Sequence, residues 1–383
     1  MQRIRYLFLA CCLLAGPLQA AWQIETVDPG GGGKFSSLRI DRYGNVHVAY
    51  FDPAAGLLKY AFRDHVVNKW FTTAVDKSSG FCSMVLDSRS RPRISYDEYD
   101  TGRLKYAYWD GSTWRKQTIQ LSAKNISYYT SIVVDSQDRP SISFYEYLDA
   151  AGDTAIRLRE ISWDGKVWEL RTADPEMGSG KFNSLLVDSA GRLHIAYANV
   201  KYEGASIRYA TWNGKSWETE FVEGSGGTGY SAYSVFAVLD KNDIAHITYT
   251  DVRDRSVKYA TKINGKWRVD VVDSVSKVAY PDRNGLVFDS SGVPYVSYYD
   301  AGLGVLKLAH LVHGKWLLET VDQNFAGYTS SLQIYDGTIW ISYADENSAS
   351  LKVARRKLDD PMYDNTDAKS YPIAPKPQGG GRN

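Results

Sequence analysis

The chain has 383 residues, with 45 Lys or Arg against 44 Asp or Glu, for a formal net charge of +1. That balance excludes the broad basic field that nucleic acid or an anionic membrane surface requires. Taking Arg3 and Arg5 away with an N-terminal leader changes little, since 43 bases then face 44 acids.

The leader comes first along the chain. Residues 1–20 run from a basic start through an apolar stretch from Tyr6 to Leu14 to "GPLQA", the pattern of a cleavable secretory signal. The apolar run is too short to span a membrane, and no later run approaches the ~18 residues a spanning helix needs. A secreted or periplasmic protein without an integral membrane segment is expected. Cleavage before Cys11 or Cys12 would lipidate the N-terminus but leave too short an apolar core for a signal. Cleavage after residue 20 leaves Cys82 as the one cysteine, so no internal disulfide can form.

From Trp22 onward a unit of about 50 residues recurs seven times. Each copy predicts a Trp-led strand ending in Val-Asp, then strands of the types "SSLRID", "HVAY" and "LKYA". The Trp falls at Trp22, Trp70, Trp114, Trp168, Trp217, Trp267 and Trp316. The aromatic of the "HVAY" strand falls at Tyr50, Tyr96, Phe144, Tyr197, Tyr249, Tyr298 and Tyr343. Four short strands per unit, seven times over, predict an all-β, seven-bladed β-propeller across residues 21–358. Turns such as "DRYGN" and "WDGST" carry the Asp and Gly chemistry of tight hairpins.

The "SSLRID" type is short and rich in small residues, which suits the strand crowded round the central axis. The Trp-led strand is then outermost, and blades are out of phase with repeats. The strand from Trp22 to Asp28 is expected beside Leu351–Ala354, closing the ring and leaving no open edge. The Gly30–Gly33 run precedes a strand, not a helix, and reads as a flexible connection. Residues 359–383, rich in Pro, Gly and charge, read as a disordered tail.

Two periodic features imitate sites. Asp52, Glu98, Glu146, Asn199, Asp251, Asp300 and Asp345 recur two residues after the "HVAY" aromatic. One base follows each, at Lys59, Lys105, Arg157, Arg208, Lys258, Lys307 and Lys352. Ring neighbours on the second strand from the axis would stand roughly 10 Å apart, too far to share one ion. Cross-strand acid–base pairs within each blade are the expected arrangement. His47, His194 and His246 share another repeat position, on the opposite rim, and are expected to hydrogen-bond between blades. Cys82, where other copies have Ser36, Thr130 and Asn183, reads as a small, partly buried and unreactive side chain.

Departures from the repeat are the better pointer to function. The acid–base spacing of seven grows to eleven in the third blade, "YLDAAGDTAI", and to nine in the fourth, "VKYEGASI". Long connections also precede the inner strands of the third, fifth and sixth blades. These read as loops on one rim, and they hold aromatic and polar side chains suited to sugar or peptide recognition. The candidate ligand-binding set is Tyr129, Glu146, Tyr147, Asp153, Asn199, Tyr202, Glu203, Tyr230, Tyr233 and Tyr280, with Tyr128, Asp149, Asp282 and Arg283 nearby. Phe35, Phe81, Tyr129 and Phe182, one before each inner strand, are expected to plug the mouth of the channel.

The turns Trp109-Asp110-Gly111-Ser112-Thr113-Trp114 and Trp163-Asp164-Gly165-Lys166-Val167-Trp168 resemble those of two propeller groups. One is the sialidase-like group with its Asp-box turn, although the leading Ser is missing and Asp and Gly are adjacent here. A counterpart of the sialidase arginine cluster is also lacking. The other is the group of secreted seven-bladed lectins, whose members bind sugars between blades. "GNVHVAY" and "GRLHIAY" are more loosely similar to propeller polysaccharide lyases, which use His and Tyr to take a proton beside a uronate. The His position on the opposite rim argues against that chemistry.

No close Ser/His/Asp set, metal-ligand spacing or phosphate-binding loop is present, so neither a cofactor nor a metal is expected. The sequence supports a non-enzymatic propeller that binds a glycan or an extracytoplasmic protein through the rim of blades 3–6. The alternatives are a polysaccharide lyase or glycoside hydrolase, with Glu146 or Asp153 as acid or base, and a structural envelope module.

Overall fold

The computed structural model describes residues 22–359, except 79, 99–100, 120, 122–124, 151–152, 202–203, 225–231, 276, 279–282 and 324. The predicted leader, and all but the first residue of the predicted tail, lie outside the described residues. The strands form seven four-stranded antiparallel sheets, the blades of a β-propeller.

Blades 1 to 6 run from Lys34–Lys77, Cys82–Thr118, Asn125–Asp174, Ser179–Gly224, Ala232–Ser274 and Gly285–Asp322. Blade 7 takes three strands from Ala326–Lys357, and the strand Gln23–Asp28 lies on its outside, paired with Leu351–Arg355. Blades and repeats are therefore out of phase, as the small-residue inner strand predicted.

Each strand's burial follows its place in the blade. Second strands such as Val46–Asp52 and Pro294–Asp300 are buried at every residue, because a neighbouring blade covers each face. Outer strands such as Lys69–Lys77 and Trp114–Thr118 present mostly exposed residues to solvent.

Small residues let the inner strands meet. The hydroxyls of Ser37, Ser83, Ser131, Ser184 and Ser331 accept the backbone N–H of Met84, Ile132, Leu185, Ala237 and Leu38, each on the following blade, at 3.0–3.3 Å. Blade 6 has Gly285 in this position, where a Cβ would lie 2.6 Å from both Leu332 and Ser297 side chains. Farther out, Tyr60, Tyr106, Tyr209 and Tyr259 meet Trp114, Trp168, Trp267 and Trp316 of the following blade edge-on, with centroids 5.2–5.8 Å apart.

Two expectations need correction and one is extended. The acid–base pairs form within blades as expected, as in Lys258 with Asp251 at 2.8 Å, Lys307 with Asp300 at 2.9 Å and Lys352 with Asp345 at 2.6 Å, and most of these bases also reach the preceding outer strand. Lys59 reaches Asp52 of its own blade at 3.5 Å and Asp28 of the preceding outer strand at 2.5 Å, and Tyr50 donates to that same Asp28. A Val-Asp-type acid ends nearly every outer strand, so the staple repeats: Asp76 with Tyr96 and Lys105, Asp174 with Tyr197 and Arg208, Glu223 with Tyr249 and Lys258, Asp273 with Tyr298 and Lys307, Asp322 with Tyr343 and Lys352. Between blades 2 and 3 the sequence has Phe144 for the Tyr and Gln120 for the acid, and Arg157 pairs with Glu146 of its own blade at 2.7 Å.

The histidines bond within blades, not between them. His47 Nδ1 lies 2.6 Å from Tyr60 Oη and its Nε2 3.4 Å from Asp41. His194 Nε2 lies 3.1 Å from Asp188, and His246 Nδ1 2.5 Å from Tyr259 Oη. The turn Asp lies on the same blade because the inner and second strands form one hairpin.

The Gly30–Gly33 connection is buried and packed from Gly31 onward. Gly32 N–H donates to Ala349 O at 2.7 Å. Gly33, at φ 79°, sits where a Cβ would come within 2.7 Å of Leu351 Cα. The glycines let the chain pass against blade 7.

Candidate functional site

The two rims differ in chemistry. One carries the hairpins between second and third strands and the entries to the inner strands. The other carries the Asp turns, the Trp-Asp-Gly hairpins and the histidines.

On the first rim, the long spacings expected as loops build taller strands instead. Blade 3 pairs Pro140–Ala150 with Asp153–Trp163, eleven residues each, up to Ala150 opposite Asp153. Asn125–Val134 rises beside them, with Ser127 opposite Glu146. Blade 4 extends to Lys201 opposite Gly204. An insertion that keeps strand-forming residues on both arms lengthens the ladder rather than opening it.

The predicted site residues scatter. Tyr202, Glu203, Tyr230 and Tyr280 lie outside the described residues, as does Asp282, and Asp153 is placed only by its backbone. Glu146 is buried against Arg157 and within 3.7 Å of Arg159. Asn199 is buried, donating to Ser179 Oγ at 2.6 Å. Tyr147 is half-buried and pairs with Ile156.

Tyr129 and Tyr233 join the aromatic plug. Phe35, Phe81, Tyr129 and Phe182 touch in sequence at 4.2–4.6 Å between centroids, and Tyr233 continues the row at 5.4 Å from Phe182. The cavity they enclose with Cys82, Ser234 and Arg283 measures about 30 Å³, room for one or two water-sized bodies and no sugar ring. Cys82 Sγ donates to Phe35 O at 3.3 Å, and burial pushes its thiol up to about 12, so it is inert as a nucleophile.

The roomy sites are clefts between blades on the other rim. One of about 770 Å³ lies between blades 5 and 6. His246, Tyr259, Phe288 and Trp316 form its aromatic wall, while Asp240, Lys241, Arg268, Asp270, Asp289 and Ser290 supply polar groups. Tyr259 Oη and His246 Nδ1 are hydrogen-bonded, burial raises the Tyr259 hydroxyl pKa, and burial lowers that of His246. Burial therefore favours the neutral form of both groups. Trp316 Nε1 has no partner among the described residues; Trp22, Trp168, Trp217 and Trp267 share this property, so it belongs to the repeat.

A second cleft of about 560 Å³ lies between blades 2 and 3, with Arg89, Arg91, Arg93 and Arg139 against Asp87 and Asp138, and with Tyr106, Tyr108, Trp163 and Trp168. Arg93 is held by Asp87 at 3.0 Å and donates to Tyr106 Oη at 2.7 Å. Arg89 is exposed, with no side-chain partner among the described residues. Both clefts fall in the 300–1,000 Å³ range of small-molecule sites, which the axial cavity misses by a factor of about ten. Sequence reasoning missed these clefts because their walls are the most regular residues of the repeat. Among the described residues no cluster of His, Cys, Asp and Glu could hold a metal ion, and no helix is long and apolar enough to cross a membrane.

No protein-family model and no curated protein sequence matches the chain. Solved structures do. A lectin from Aleuria aurantia, solved with Fucα1-6GlcNAc, superposes with a TM-score of 0.52 at 16% identity, over 78% of this chain and 97% of the lectin. A Hadza microbial sialidase gives 0.51 at 12% identity, over 80% and 74%. The polysaccharide lyase Uly1 gives 0.52 at 10% identity, over 85% and 90%. At these identities the likeness establishes the propeller fold alone.

Proposed function

We propose that this chain is a secreted carbohydrate-binding propeller whose main site is the cleft between blades 5 and 6. The observation that carries this reading is the cleft itself: an aromatic wall for the apolar face of a sugar and a rim of carboxylates and bases for its hydroxyls. The carbohydrate proteins among its structural neighbours support the substrate class. The leader read from residues 1–20 supports export.

Binding without catalysis fits the wall better than proton abstraction does. The His246–Tyr259 contact recurs as His47–Tyr60 in blade 1, where His47 is only 3% exposed. A contact repeated in a buried place is scaffold. The raised Tyr259 pKa also opposes the tyrosinate that a lyase base needs.

The cleft between blades 2 and 3 carries four arginines against two aspartates, and it suits an acidic sugar. A second reading keeps the contact on the opposite rim, where the tall blade 3 hairpin stands.

A glycan array of the mature protein tests these readings, with an Arg268→Ala/Asp270→Ala variant for the 5/6 cleft and a Tyr147→Ala variant for the tall rim. Arg268 is exposed and Asp270 partly so, so neither change should unfold the blade. Retention lost at least tenfold in the cleft variant alone supports the proposal. Retention lost only in the rim variant moves the site to blades 3–6, and a shortened glycan makes the protein an enzyme.

A further inference from the structure

The Asp turns of the cleft rim are not chemically equal. The turn of blade 2 carries Arg89 and Arg91, and that of blade 3 carries Arg139; the same repeat positions around the 5/6 cleft hold Asn242, Ile244 and Val293. A repeat fixes its scaffold positions, so charge placed on three of them at one junction is a departure that points to function.

The turn itself does not need these side chains. Asp87 Oδ1 accepts the backbone N–H of Arg89 at 3.0 Å and of Arg91 at 2.9 Å, and Asp240 closes the blade 5 turn in the same way on Asn242 and Ile244. Two of the guanidiniums are fixed in orientation: Arg91 Nη1 donates to Asp110 O at 2.8 Å, and Arg139 holds Asp135 at 2.7 Å. The acids of the cleft are engaged within its walls. Asp87 holds Arg93 at 3.0 Å, and Asp138 accepts the N–H and hydroxyl of Ser88 at 2.8 and 2.6 Å. The lining carries four bases against two acids, whereas that of the 5/6 cleft carries two bases against three acids. The two clefts therefore differ in sign.

The geometry points to a second, separate site in the cleft between blades 2 and 3, for a sugar residue that bears a carboxylate or a sulfate ester within a longer polysaccharide. The assignment rests on the carbohydrate reading above and adds a division of labour: the cationic cleft takes the charged residue, and the 5/6 cleft takes a neutral one. Arg89 and Arg139 line the cleft from facing blades, so an anion there can be met by a planar guanidinium from each wall. Trp163 and Trp168, 5.5 Å apart between centroids, supply apolar faces for the ring. Arg115, 2.7 Å from Asp110, continues the cationic line from Arg91 out of the cleft, which suits a chain rather than a single sugar.

Calorimetry on the whole mature protein tests this with two probes, an oligogalacturonate that carries carboxylates alone and a dextran sulfate oligomer that carries sulfate esters alone. At least one should bind, more weakly as salt rises, and the one that binds names the anionic group. Arg89→Glu should weaken that binding about tenfold or more, the worth of a hydrogen bond to a charged group. Arg89 is exposed and its turn bonds are backbone ones, so the change leaves the turn intact. Lys215→Glu, an exposed charge reversal on the blade 4 hairpin, controls for net charge and should leave the affinity unchanged, as should Arg268→Ala/Asp270→Ala. Binding of neither anion overturns this site, while the glycan-array result for the 5/6 cleft stands or falls by itself. An anion held equally well by Arg89→Glu, weakened as much by Lys215→Glu, or lost in Arg268→Ala/Asp270→Ala overturns it too.

Discussion

At the scale of single residues, the hydroxyl of the second-strand tyrosine matters more than its ring. Tyr298 Oη donates to Asp273 at 2.7 Å across a blade junction where Lys307 also reaches that carboxylate. Tyr298→Phe should therefore cost about 1.5–3 kcal/mol in urea denaturation, the worth of a hydrogen bond to a charged group. The turn aspartates set the acid limit. Asp41 and Asp188 are both lowered to about 2 from 3.8 against the cost of burial, Asp41 first by His47 and Asp188 first by the Arg192 backbone N–H. A carboxylate with a depressed folded pKa adds stability above its unfolded value and loses it as pH falls through the folded one. Stability should decline between about pH 4 and pH 2, and Asp188→Asn should flatten that part of the profile when unfolding is followed by tryptophan fluorescence.

Among elements, the strand Gln23–Asp28 bears most on integrity. It covers the edge Leu351–Arg355, supplies Asp28 to Tyr50 and Lys59, and supplies Glu25 to Trp70 at 2.7 Å and Arg355 at 3.2 Å. A chain lacking residues 22–28 loses the buried Val27, an acid shared by two blades and the cover of a sheet edge. Its unfolding free energy should fall by about 3 kcal/mol or more, with self-association visible on size-exclusion chromatography. A truncated protein that stays monomeric and equally stable would show that the inner-strand serine contacts close the ring unaided.

For the molecule as a whole, the staples make one cooperative unit out of seven sheets. Among the described residues six junctions carry a Tyr–base–acid set, while at the corresponding repeat positions for blades 2 and 3 the sequence reads Phe144 and Gln120. Fluorescence and circular dichroism should report a single coincident urea transition. Native-state hydrogen exchange should find its earliest opening at the 2/3 junction, where the 560 Å³ cleft also lies. Uniform protection across all seven junctions would deny the staples that role.

The repeat was legible because its cause is local. Trp at each outer strand, Asp-Gly or Asn-Gly at each hairpin and small residues at each inner strand follow from strand, turn and crowding chemistry, and they led to seven blades and to the pairing of Trp22–Asp28 with Leu351–Ala354. Cys82 was read as inert from its repeat position alone. The partners across blade junctions were not legible, because the bond from Tyr298 to Asp273 joins residues on different sheets; the joint change to Phe144 and Gln120 was the one sequence trace of it. The clefts were hidden for a related reason. A gap between blades is set by how two sheets splay, and residues as regular as Tyr259 and Trp316 line a 770 Å³ cleft in one place and pack as scaffold in others. Sequence determined the blades; the tertiary structure alone decided what lies between them, because those spaces belong to pairs of sheets that the chain order does not describe.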